Sequence, residues 1–541
     1  MKHDFKSLAA LYEYATTVYA NRPASEFVDG GQAYTYASFD DTCRSLSRTL
    51  ANFGVSTYDK VAIFSENMPN WSVAFFSAAA FGRIAIPMLT GLTSNEIENI
   101  LTHSDAKALF VSSKLLSKVP EHLLAKMAIV ICTDDLSVVR YDDTAYTCDG
   151  RISAPQADDI AAIIYTSGTT GAAKGVMLSH RNLCSNVFAA WKAHKVRKKD
   201  IFLSILPMAH AYELSIGVLY PFSVGAKVCY ISKPPTASVL MPVMKKIRPT
   251  VMLSVPLIME KVYKSSVVPT IKSSPFLRWL QSTAPGLLYW MVGQKLKKTF
   301  GGRIHFFGIG GAKLDPIVED FLHRAHFPYA IGYGLTETAP LLTNACVGKT
   351  RVGSIGVPAH GVQIRLDNVN PHTGEGEIVA KGPQVMRGYY KDYNRTLGVI
   401  EDGWFHTGDL ASVDSKGRYY IKGRIGNMIL GPSGENIYPE EIEDVINSID
   451  GVNESLVVQR DGKLVALVKF DDNILDWNLE GEDKFIKSLE ERRKAVMDYV
   501  NSHVNKNSKI GEVNVKKEPF VKTATLKIKR FLYKDKKQDE K

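Results

Sequence analysis

The stretch IAAIIYTSGTTGAAKGVMLSH, residues 160–180, decides how the rest of the chain is interpreted. Its apolar start, residues 160–164, predicts a buried strand, and a loop rich in glycine and hydroxyl residues follows directly. Such a loop offers backbone N–H groups and hydroxyls to a ligand, and a lysine adds positive charge. The residues concerned are Thr166, Ser167, Gly168, Thr169, Thr170, Gly171 and Lys174. The stretch therefore predicts a strand that ends in a cradle for a polyphosphate.

The loop differs from the Walker A motif of ordinary nucleoside triphosphatases. Walker A requires a glycine before the lysine and a hydroxyl after it, whereas Lys174 follows Ala173 and precedes Gly175. A nucleotide chemistry other than that of an ordinary NTPase is therefore expected. The alternative interpretation, a flexible turn, explains the glycines but neither the strand before them nor the lysine after them.

The composition is that of a globular protein with more than one domain. The chain has 541 residues, of which 45% are hydrophobic and 23% charged, which is enough for at least two cores. Its net charge of +10 favours anionic partners, namely nucleotides, acidic lipid surfaces or nucleic acid. Nucleic acid is not expected, since the sequence has no zinc-finger spacing and no basic stripe with interleaved aromatics. Six scattered cysteines without C-x-x-C spacing predict reduced thiols, so the cytoplasm is the expected compartment.

The chain alternates short apolar runs with helical patterns. Runs such as KVAIF, IAIPML and TVMLSVP are too apolar for half-exposed strands, which predicts a parallel sheet covered by helices. After about residue 424 the pattern changes to a hairpin that turns at Asp461-Gly462 and then a charged helix. The expected fold is α/β. It has a large N-terminal domain of layered sheets and helices, residues 1–425, and a smaller mobile α+β domain, residues 426–541.

Three further motifs have the character of phosphate or sugar sites. FGIGGAKLDP (residues 307–316) ends a strand in glycines, which lets a flat ligand approach the backbone. IGYGLTETAP (331–340) puts Tyr333 beside Thr336 and Glu337. GWFHTGDL (403–410) offers Asp409 in a glycine-flanked turn, where a carboxylate can accept two ribose hydroxyls. Each of these motifs alone is more typical of an ordinary turn.

Together and in this order, the four motifs resemble those of the adenylate-forming superfamily, which contains acyl-CoA synthetases, carrier-loading adenylation domains and luciferases. The resemblance extends from YTYASFDDTCRSLSRTL near the start to KTATLKIKR near the end. It implies that the loop from Thr166 to Lys174 holds the phosphates of ATP. It also implies adenine between Gly311, Ala312 and Tyr333, the α-phosphate at Thr336, Mg²⁺ at Glu337, and ribose at Asp409 and Arg424.

The resemblance implies a catalytic lysine and a hinge in the C-terminal part. Lys527 aligns with the family's catalytic lysine, although Leu526 stands where the family usually has glycine. Without the family pattern, Lys527 would be one more lysine of a basic tail. The hinge position carries Gly426 in place of the usual lysine or aspartate, which keeps the joint mobile. CoA is the implied thiol substrate.

Two segments resemble the long-chain fatty acyl-CoA synthetase branch. LPMAHAYEL (206–214) places His210 beside the implied acyl site, although a packed histidine is the alternative. Residues 264–301 look like an insertion that forms a helical pair, and this pair would cover an acyl tunnel, rest on an anionic membrane surface, or simply pack on the main domain. The expected activity is AMP-forming ligation of a long-chain fatty acid to CoA. The alternatives are a ligase that loads an acyl carrier protein and an inactive nucleotide-binding regulator.

Overall fold

The computed structural model describes residues 3–146, 152–167, 173–430, 436–471, 482–523 and 527–534. It divides into two compact units. The large unit comprises Met1–Arg365, Val379–His406 and Ser415–Tyr419, and the small unit comprises Leu366–Ile378, Thr407–Asp414 and Tyr420–Lys541. The expected α/β class, with a large N-terminal and a smaller C-terminal part, is confirmed. The domain boundary and hinge at Gly426 are not tested by this division and stay predictions.

Among the described residues, Glu213–Leu219 and Tyr263–Val267 are π-helical turns, in addition to the α-helices. The α-helices in the described residues are α1 (Leu8–Val18), α2 (Tyr36–Asn52), α3 (Pro69–Ala79), α4 (Ser94–Ser104), α5 (Ser113–Leu116), α6 (Glu121–Leu124), α7 (His180–Ala193), α8 (Tyr220–Val224), α9 (Ala237–Ile247), α10 (Pro256–Val262), α11 (Val268–Ser273), α12 (Pro275–Thr283), α13 (Pro285–Thr299), α14 (Pro316–Arg324), α15 (Tyr393–Leu397), α16 (Pro439–Asn447) and α17 (Glu482–His503).

The strands are short and distributed along the whole chain. Up to residue 254 the described strands are β1 (Pro23–Phe27), β2 (Ala33–Thr35), β3 (Lys60–Phe64), β4 (Ile84–Met88), β5 (Ala106–Val111), β6 (Ile129–Cys132), β7 (Val138–Tyr141), β8 (Ile160–Ser167), β9 (Ala173–Ser179), β10 (Ile201–Leu203), β11 (Lys227–Tyr230) and β12 (Val251–Ser254). Beyond it they are β13 (Phe306–Ile309), β14 (Tyr329–Gly334), β15 (Leu341–Ala345), β16 (Val357–Pro358), β17 (Gln363–Asp367), β18 (Gly376–Lys381), β19 (Gly388–Tyr389), β20 (Ile400–Glu401), β21 (Trp404–Val413), β22 (Tyr419–Arg424), β23 (Ile429–Leu430), β24 (Asn436–Ile437), β25 (Val452–Arg460), β26 (Lys463–Phe470) and β27 (Glu512–Val515).

Two large sheets form the large unit. One has the order β16-β15-β14-β13-β12-β10-β11-β1-β2, and the other has the order β19-β9-β8-β4-β3-β5-β6-β7. Their central strands pair in parallel, as the apolar runs predicted. Helix α3 contacts β1 of the first sheet and β3 and β4 of the second. All of its residues are buried, so its uniformly apolar sequence fits a helix enclosed by the core.

The small unit contains the predicted hairpin and charged helix. Strands β25 and β26 pair antiparallel, and β27 adds in parallel to β26. Asp461 and Gly462 form the turn with φ of 47° and 76°, the backbone that a tight two-residue hairpin requires. Helix α16 begins at Pro439 and packs on β25. The core of this unit consists of apolar side chains from these elements, including Ile442, Ile446 and Val468.

The structure also describes five of the cysteines and the lengths of the helices. In the part of the chain that the structure describes, Cys43, Cys132, Cys184, Cys229 and Cys346 are free thiols. Within the same residues, no helix has both the length and the apolar composition needed to cross a bilayer.

Candidate active site

The polyphosphate loop joins two strands of a hairpin. Strands β8 and β9 pair antiparallel, with Thr166 opposite Lys174 and Ser167 opposite Ala173. The Oγ1 atom of Thr166 is buried and has no hydrogen-bond partner among the described residues. A buried hydroxyl without a partner is unfavourable unless a ligand supplies one. This atom, opposite a lysine, therefore fits a phosphate oxygen.

Four predicted loop residues fall between these strands. Gly168, Thr169, Thr170 and Gly171 lie outside the described residues, and so does the side chain of Ser167. Their role in holding phosphates stays a prediction. The two strand ends that border them are close together, since the hairpin pairing continues to the last described residue on each side.

Lys174, Glu337 and Tyr389 form one cluster. The Nζ atom of Lys174 lies 3.8 Å from Glu337 Oε1, and the Tyr389 hydroxyl donates a hydrogen bond of 2.9 Å to the same oxygen. Lys174 Nζ also lies 3.5 Å from the Tyr389 hydroxyl and 5.0 Å from the centre of its ring. Burial, and then the charge of Glu337, raise the pKa of Tyr389, which keeps the phenol protonated as a donor.

The backbone around Glu337 is held in place by neighbouring elements. Glu337 lies in a short 3₁₀ turn directly after β14 and is buried. The Asn186 side chain of α7 donates to the carbonyl of Thr338 and accepts from the amide of Leu341. The amide of Met386 donates to the Glu337 carbonyl at 2.8 Å. These contacts hold the backbone from which the Glu337 side chain extends.

Strands β13 and β14 bring the predicted adenine residues to one sheet edge. Ile309 and Ile331 are paired in parallel, and Gly311 and Tyr333 each follow two residues later. Gly311 has φ of +89° and is exposed, as is Ala312. The structure therefore places an exposed backbone step beside a half-buried aromatic ring, an arrangement that fits a flat base.

The backbone at position 334 passes so close to the backbone of Pro340 that only glycine fits there. A Cβ atom there would lie 1.6 Å from the carbonyl oxygen of Pro340. The turn that carries Thr336 and Glu337 is thus folded back tightly against the end of β14. Any larger residue at position 334 would displace both predicted ligand residues.

His210 lies in the turn between β10 and the π-helix Glu213–Leu219. Its Nδ1 atom accepts a hydrogen bond from the amide of Tyr212 at 3.2 Å. The imidazole ring is half-buried. The Tyr212 hydroxyl in turn lies beside Gly308, where a Cβ atom would approach it to 2.8 Å. The His210 segment therefore borders the strand that leads to Gly311.

Glu213 is a fully buried carboxyl in the same segment. Its Oε1 accepts a hydrogen bond of 2.6 Å from Ser204, while Oε2 has no partner in the described residues. Burial raises the pKa of Glu213 to about 8. Ser215, two residues on, donates at 2.7 Å to the carbonyl of Ala339 beside the Glu337 turn. π-Helical turns are frequent at functional sites, and this one connects two walls of the candidate site.

The predicted ribose residues lie together in the small unit. Arg424 Nε is 2.8 Å from Asp409 Oδ1, and the aspartate is buried while the arginine is partly exposed. Gly408, just before the aspartate, donates its amide to Glu377 at 2.9 Å. A buried carboxylate whose charge is balanced by one arginine can accept hydrogen bonds from a diol.

Lys527 also belongs to the small unit. Its side chain is exposed, and its backbone is held by Thr523, which exchanges bonds with its amide and its carbonyl. Three residues later, Arg530 donates to the buried carboxylate of Glu443. Leu526, the departure from the family pattern, lies outside the described residues. The structure thus holds the backbone of Lys527 in place and leaves its side chain exposed.

Sequence reasoning missed Tyr389, Asn186 and the buried Glu213. Tyr389 reaches the site because β19 pairs with β9, which sets Tyr389 beside Val176, and no motif spacing encodes that pairing. Glu213 does lie in the segment LPMAHAYEL, of which the sequence analysis used only His210. The signal that would have singled out Glu213 is its charge at the start of the largely apolar residues 214–220.

Comparison with known proteins identifies the family of the chain. A family model described as AMP-binding enzyme matches residues 12–390, more than two thirds of the chain. The chain belongs to the AMP-binding enzyme family. Among solved structures, a benzoate CoA ligase from Burkholderia xenovorans is similar, with a TM-score of 0.77 and 22% identity, and the match covers 98% of this chain and 100% of that one. At this identity the likeness shows the fold of the family.

Relatives of known function belong to the same family. The peroxisomal long chain acyl-CoA synthetase 7 of Arabidopsis thaliana is 29% identical over 82% of this chain and 69% of that protein. The long-chain-fatty-acid–CoA ligase of Salmonella typhimurium is 29% identical over 84% of this chain and 83% of that protein. A chloroplastic long-chain-fatty-acid–[acyl-carrier-protein] ligase of Arabidopsis thaliana is 27% identical, over 86% and 76%.

Proposed function

We propose that this AMP-binding enzyme activates a long-chain fatty acid. ATP and the acid give an acyl-adenylate and pyrophosphate, and the acyl group then passes to CoA with release of AMP. The observation that carries the proposal is the cluster of Lys174, Glu337 and Tyr389, which lies at the hairpin whose Thr166 hydroxyl is buried without a partner. Relatives named as long-chain fatty acid–CoA ligases support the choice of acid and thiol.

The first half-reaction brings two anions together. A carboxylate oxygen of the acid attacks the α-phosphorus of ATP, and the bond from that phosphorus to the bridging oxygen of pyrophosphate breaks. Thr166 and Lys174 would hold the phosphates, and Lys527 would offset the charge of the reacting and leaving oxygens. Mg²⁺, when bound, neutralises phosphate charge, and a single carboxylate such as Glu337 together with phosphate oxygens is a usual Mg²⁺ environment.

The second half-reaction is attack of the CoA thiolate on the acyl carbon. The bond between the acyl carbon and the phosphate oxygen of AMP breaks, and AMP leaves with that oxygen. In this proposal the small unit turns about Gly426 between the two steps, so that Lys527 serves the first step alone. The alternative acceptor is the thiol of an acyl carrier protein, which the chloroplastic relative's name favours. The predicted cellular compartment is the cytoplasm.

Two assays test the proposal. Pyrophosphate release on addition of fatty acid separates an enzyme from an inactive nucleotide-binding regulator. AMP formation that depends on CoA then separates the CoA ligase from a carrier-protein ligase, which needs the carrier in place of CoA.

A series of saturated acids tests the chain length. Each buried CH₂ contributes about 0.8 kcal/mol, so eight further methylenes give a strong preference for palmitate over octanoate if the site accepts the whole chain. We expect CoA-ester formation to be greatest with a long chain. A maximum at acetate, benzoate or octanoate contradicts the long-chain assignment and leaves the adenylation chemistry standing.

A further inference from the structure

The charge of the chain is very uneven around α11–α13. Between Glu260 and Asp315 the sequence has no aspartate or glutamate, although a stretch of this length at the chain's average frequency would carry five to six. The same stretch carries nine basic residues. They are Lys261, Lys264, Lys272, Arg278, Lys295, Lys297, Lys298, Arg303 and Lys313.

The same helices expose large apolar side chains. Trp279 is 57% exposed and Trp290 is 52% exposed, whereas Trp71 in the core is fully buried. Phe276 and Trp279 stack on the outside of α12, with ring centres 6.2 Å apart. A single exposed apolar residue is normal on a protein surface, but α12 and α13 contact each other, and two exposed tryptophans on contacting helices indicate a binding surface.

Helix α13 is amphipathic in an unusual way, because one end of its outward face is apolar. Leu287, Trp290 and Met291 are exposed at positions i, i+3 and i+4, so they share one face. Continuing along that face, Lys295 and Lys298 follow Met291 by four and seven residues and are exposed as well. The outward face therefore changes from apolar to cationic along the helix axis.

The outward face is held rigidly by the inward one. On the opposite side of α13, Leu288, Val292 and Leu296 are buried. A Cβ atom on Gly293 would lie 2.1 Å from the carbonyl oxygen of Ala325, so α13 and the end of α14 are in close backbone contact. The exposure of the tryptophans is therefore a property of a well-anchored helix.

Acidic groups on the neighbouring helix do not cancel the positive charge. Helix α14 packs against α13 and carries Glu319 and Asp320. Glu319 is buried and accepts hydrogen bonds from Tyr329 and from the amide of Gly353, while Asp320 forms an ion pair of 2.7 Å with Arg324.

We propose that the α12–α13 surface binds a lipid bilayer with anionic headgroups. The surface is formed by Phe276, Trp279, Leu287, Trp290, Met291, Lys295 and Lys298. The apolar part would enter the boundary between headgroups and acyl chains, and the lysines would meet the anionic phosphates. A second copy of the chain is a poorer partner, because a stretch without acidic residues has no charge to complement itself. The inference does not depend on which acid the enzyme activates.

Vesicle co-sedimentation of the full-length protein tests the proposal. One set of vesicles contains phosphatidylcholine alone, and the other contains about 30% phosphatidylglycerol, an anionic fraction sufficient for a strong surface field. We expect binding to the anionic vesicles, weakened by salt, with a blue shift of the tryptophan emission. Binding to neither set, or equal binding to both, overturns the proposal.

Matched variants locate the surface. Trp279→Ala with Trp290→Ala should lower the partition coefficient on anionic vesicles at least about tenfold, because two interfacial anchors are lost. Lys295→Ala with Lys298→Ala should lower it by about fivefold for each lysine and reduce its salt dependence. The control is Tyr393→Ala with Leu397→Ala, two exposed apolar residues on α15, which should bind as the wild type.

Circular dichroism and light scattering complete the test. The tryptophan variant and the lysine variant change exposed side chains, so we expect their circular dichroism spectra to match that of the wild type. Matching spectra show that weaker binding is not caused by unfolding. If the tryptophan variant binds vesicles as the wild type does, the proposal is wrong. If that variant instead converts a dimer into a monomer without affecting vesicle binding, the surface joins two copies of the chain.

Discussion

The two units hold their predicted catalytic groups in opposite ways. In the large unit, Glu337 is buried, and both Lys174 and Tyr389 approach its carboxylate. In the small unit, the Lys527 side chain is exposed, and its backbone amide donates to the Thr523 hydroxyl. A buried, hydrogen-bonded cluster is organised before substrate arrives, whereas burial does not restrict an exposed side chain. We therefore expect the charges of the large unit to act throughout the reaction and the charge of Lys527 to act in one step.

Substitution of Lys527 gives the largest expected effect. Lys527→Ala should slow pyrophosphate release by about 10²–10³-fold, because a positive charge is lost where negative charge develops. Thioester formation from a supplied acyl-adenylate and CoA should stay within a few-fold of the wild type. The control is Lys517→Ala, an exposed lysine of the same basic stretch, which should leave both half-reactions unchanged. Pyrophosphate release within a few-fold of wild type would show that Lys527 is not the catalytic lysine.

Substitution of Glu337 probes the buried cluster. Glu337→Gln should lower pyrophosphate release by about 10²-fold, since a neutral amide is a weaker ligand for Mg²⁺ and leaves Lys174 without its carboxylate partner. The measurement is the initial rate as a function of Mg²⁺ concentration, and the Mg²⁺ requirement should rise. An unchanged Mg²⁺ dependence would place the metal at another residue.

Gly426 distinguishes a mobile joint from a static one. A Cβ atom at Gly426 would meet no atom within 4 Å, so Gly426→Ala fits the structure and serves as the control. Gly426→Pro fixes φ at the proposed hinge and should lower CoA-thioester formation about tenfold while pyrophosphate release is largely retained. Rapid-quench measurement of both half-reactions checks the split. Equal loss of both, or equal behaviour of the proline and alanine variants, would argue against a hinge at this residue.

The smallest effect is expected at the tyrosine that completes the buried cluster. Tyr389→Phe removes one hydrogen bond to Glu337, worth about 1 kcal/mol, and should slow adenylation about fivefold. Its neighbour Tyr390 is the matched control, because its hydroxyl lies near Asp105 at 3.4 Å and not near Glu337. If Tyr390→Phe slows adenylation as much as Tyr389→Phe, the contact to Glu337 is not the cause.

Local patterns predicted much of the fold. The apolar runs became strands β3, β4 and β12, and the Asp461-Gly462 turn closed the hairpin where expected, because each depends on neighbouring residues. For the same reason, the sequence predicted that the strand at residues 306–309 ends in the glycines at positions 310 and 311.

The contacts of the site were less predictable. Tyr389 meets Glu337 only because β19 pairs with β9, and Asn186 holds the Glu337 turn from a helix about 150 residues earlier. Sequence periodicity carries no information on such pairings, since it reports which face of an element is apolar and not which element covers it. The family resemblance assigned roles to Lys174, Glu337 and Lys527, but it did not supply the groups that orient them.

The buried carboxyl of Glu213 has a consequence for the stability of the protein across pH. Its pKa is about 8 in the folded chain and about 4.5 when exposed, so between these values the folded state holds a proton that the unfolded state has released. The free energy of unfolding should therefore fall by about 1.4 kcal/mol per pH unit over this window. The contribution is fully present below about pH 4.5 and is lost as the pH rises through about 8. Glu213→Gln keeps an acceptor for Ser204 and removes the titration. Urea unfolding at a series of pH values should show the variant gaining stability relative to wild type toward alkaline pH, as expected of a fold that takes up a proton when it forms.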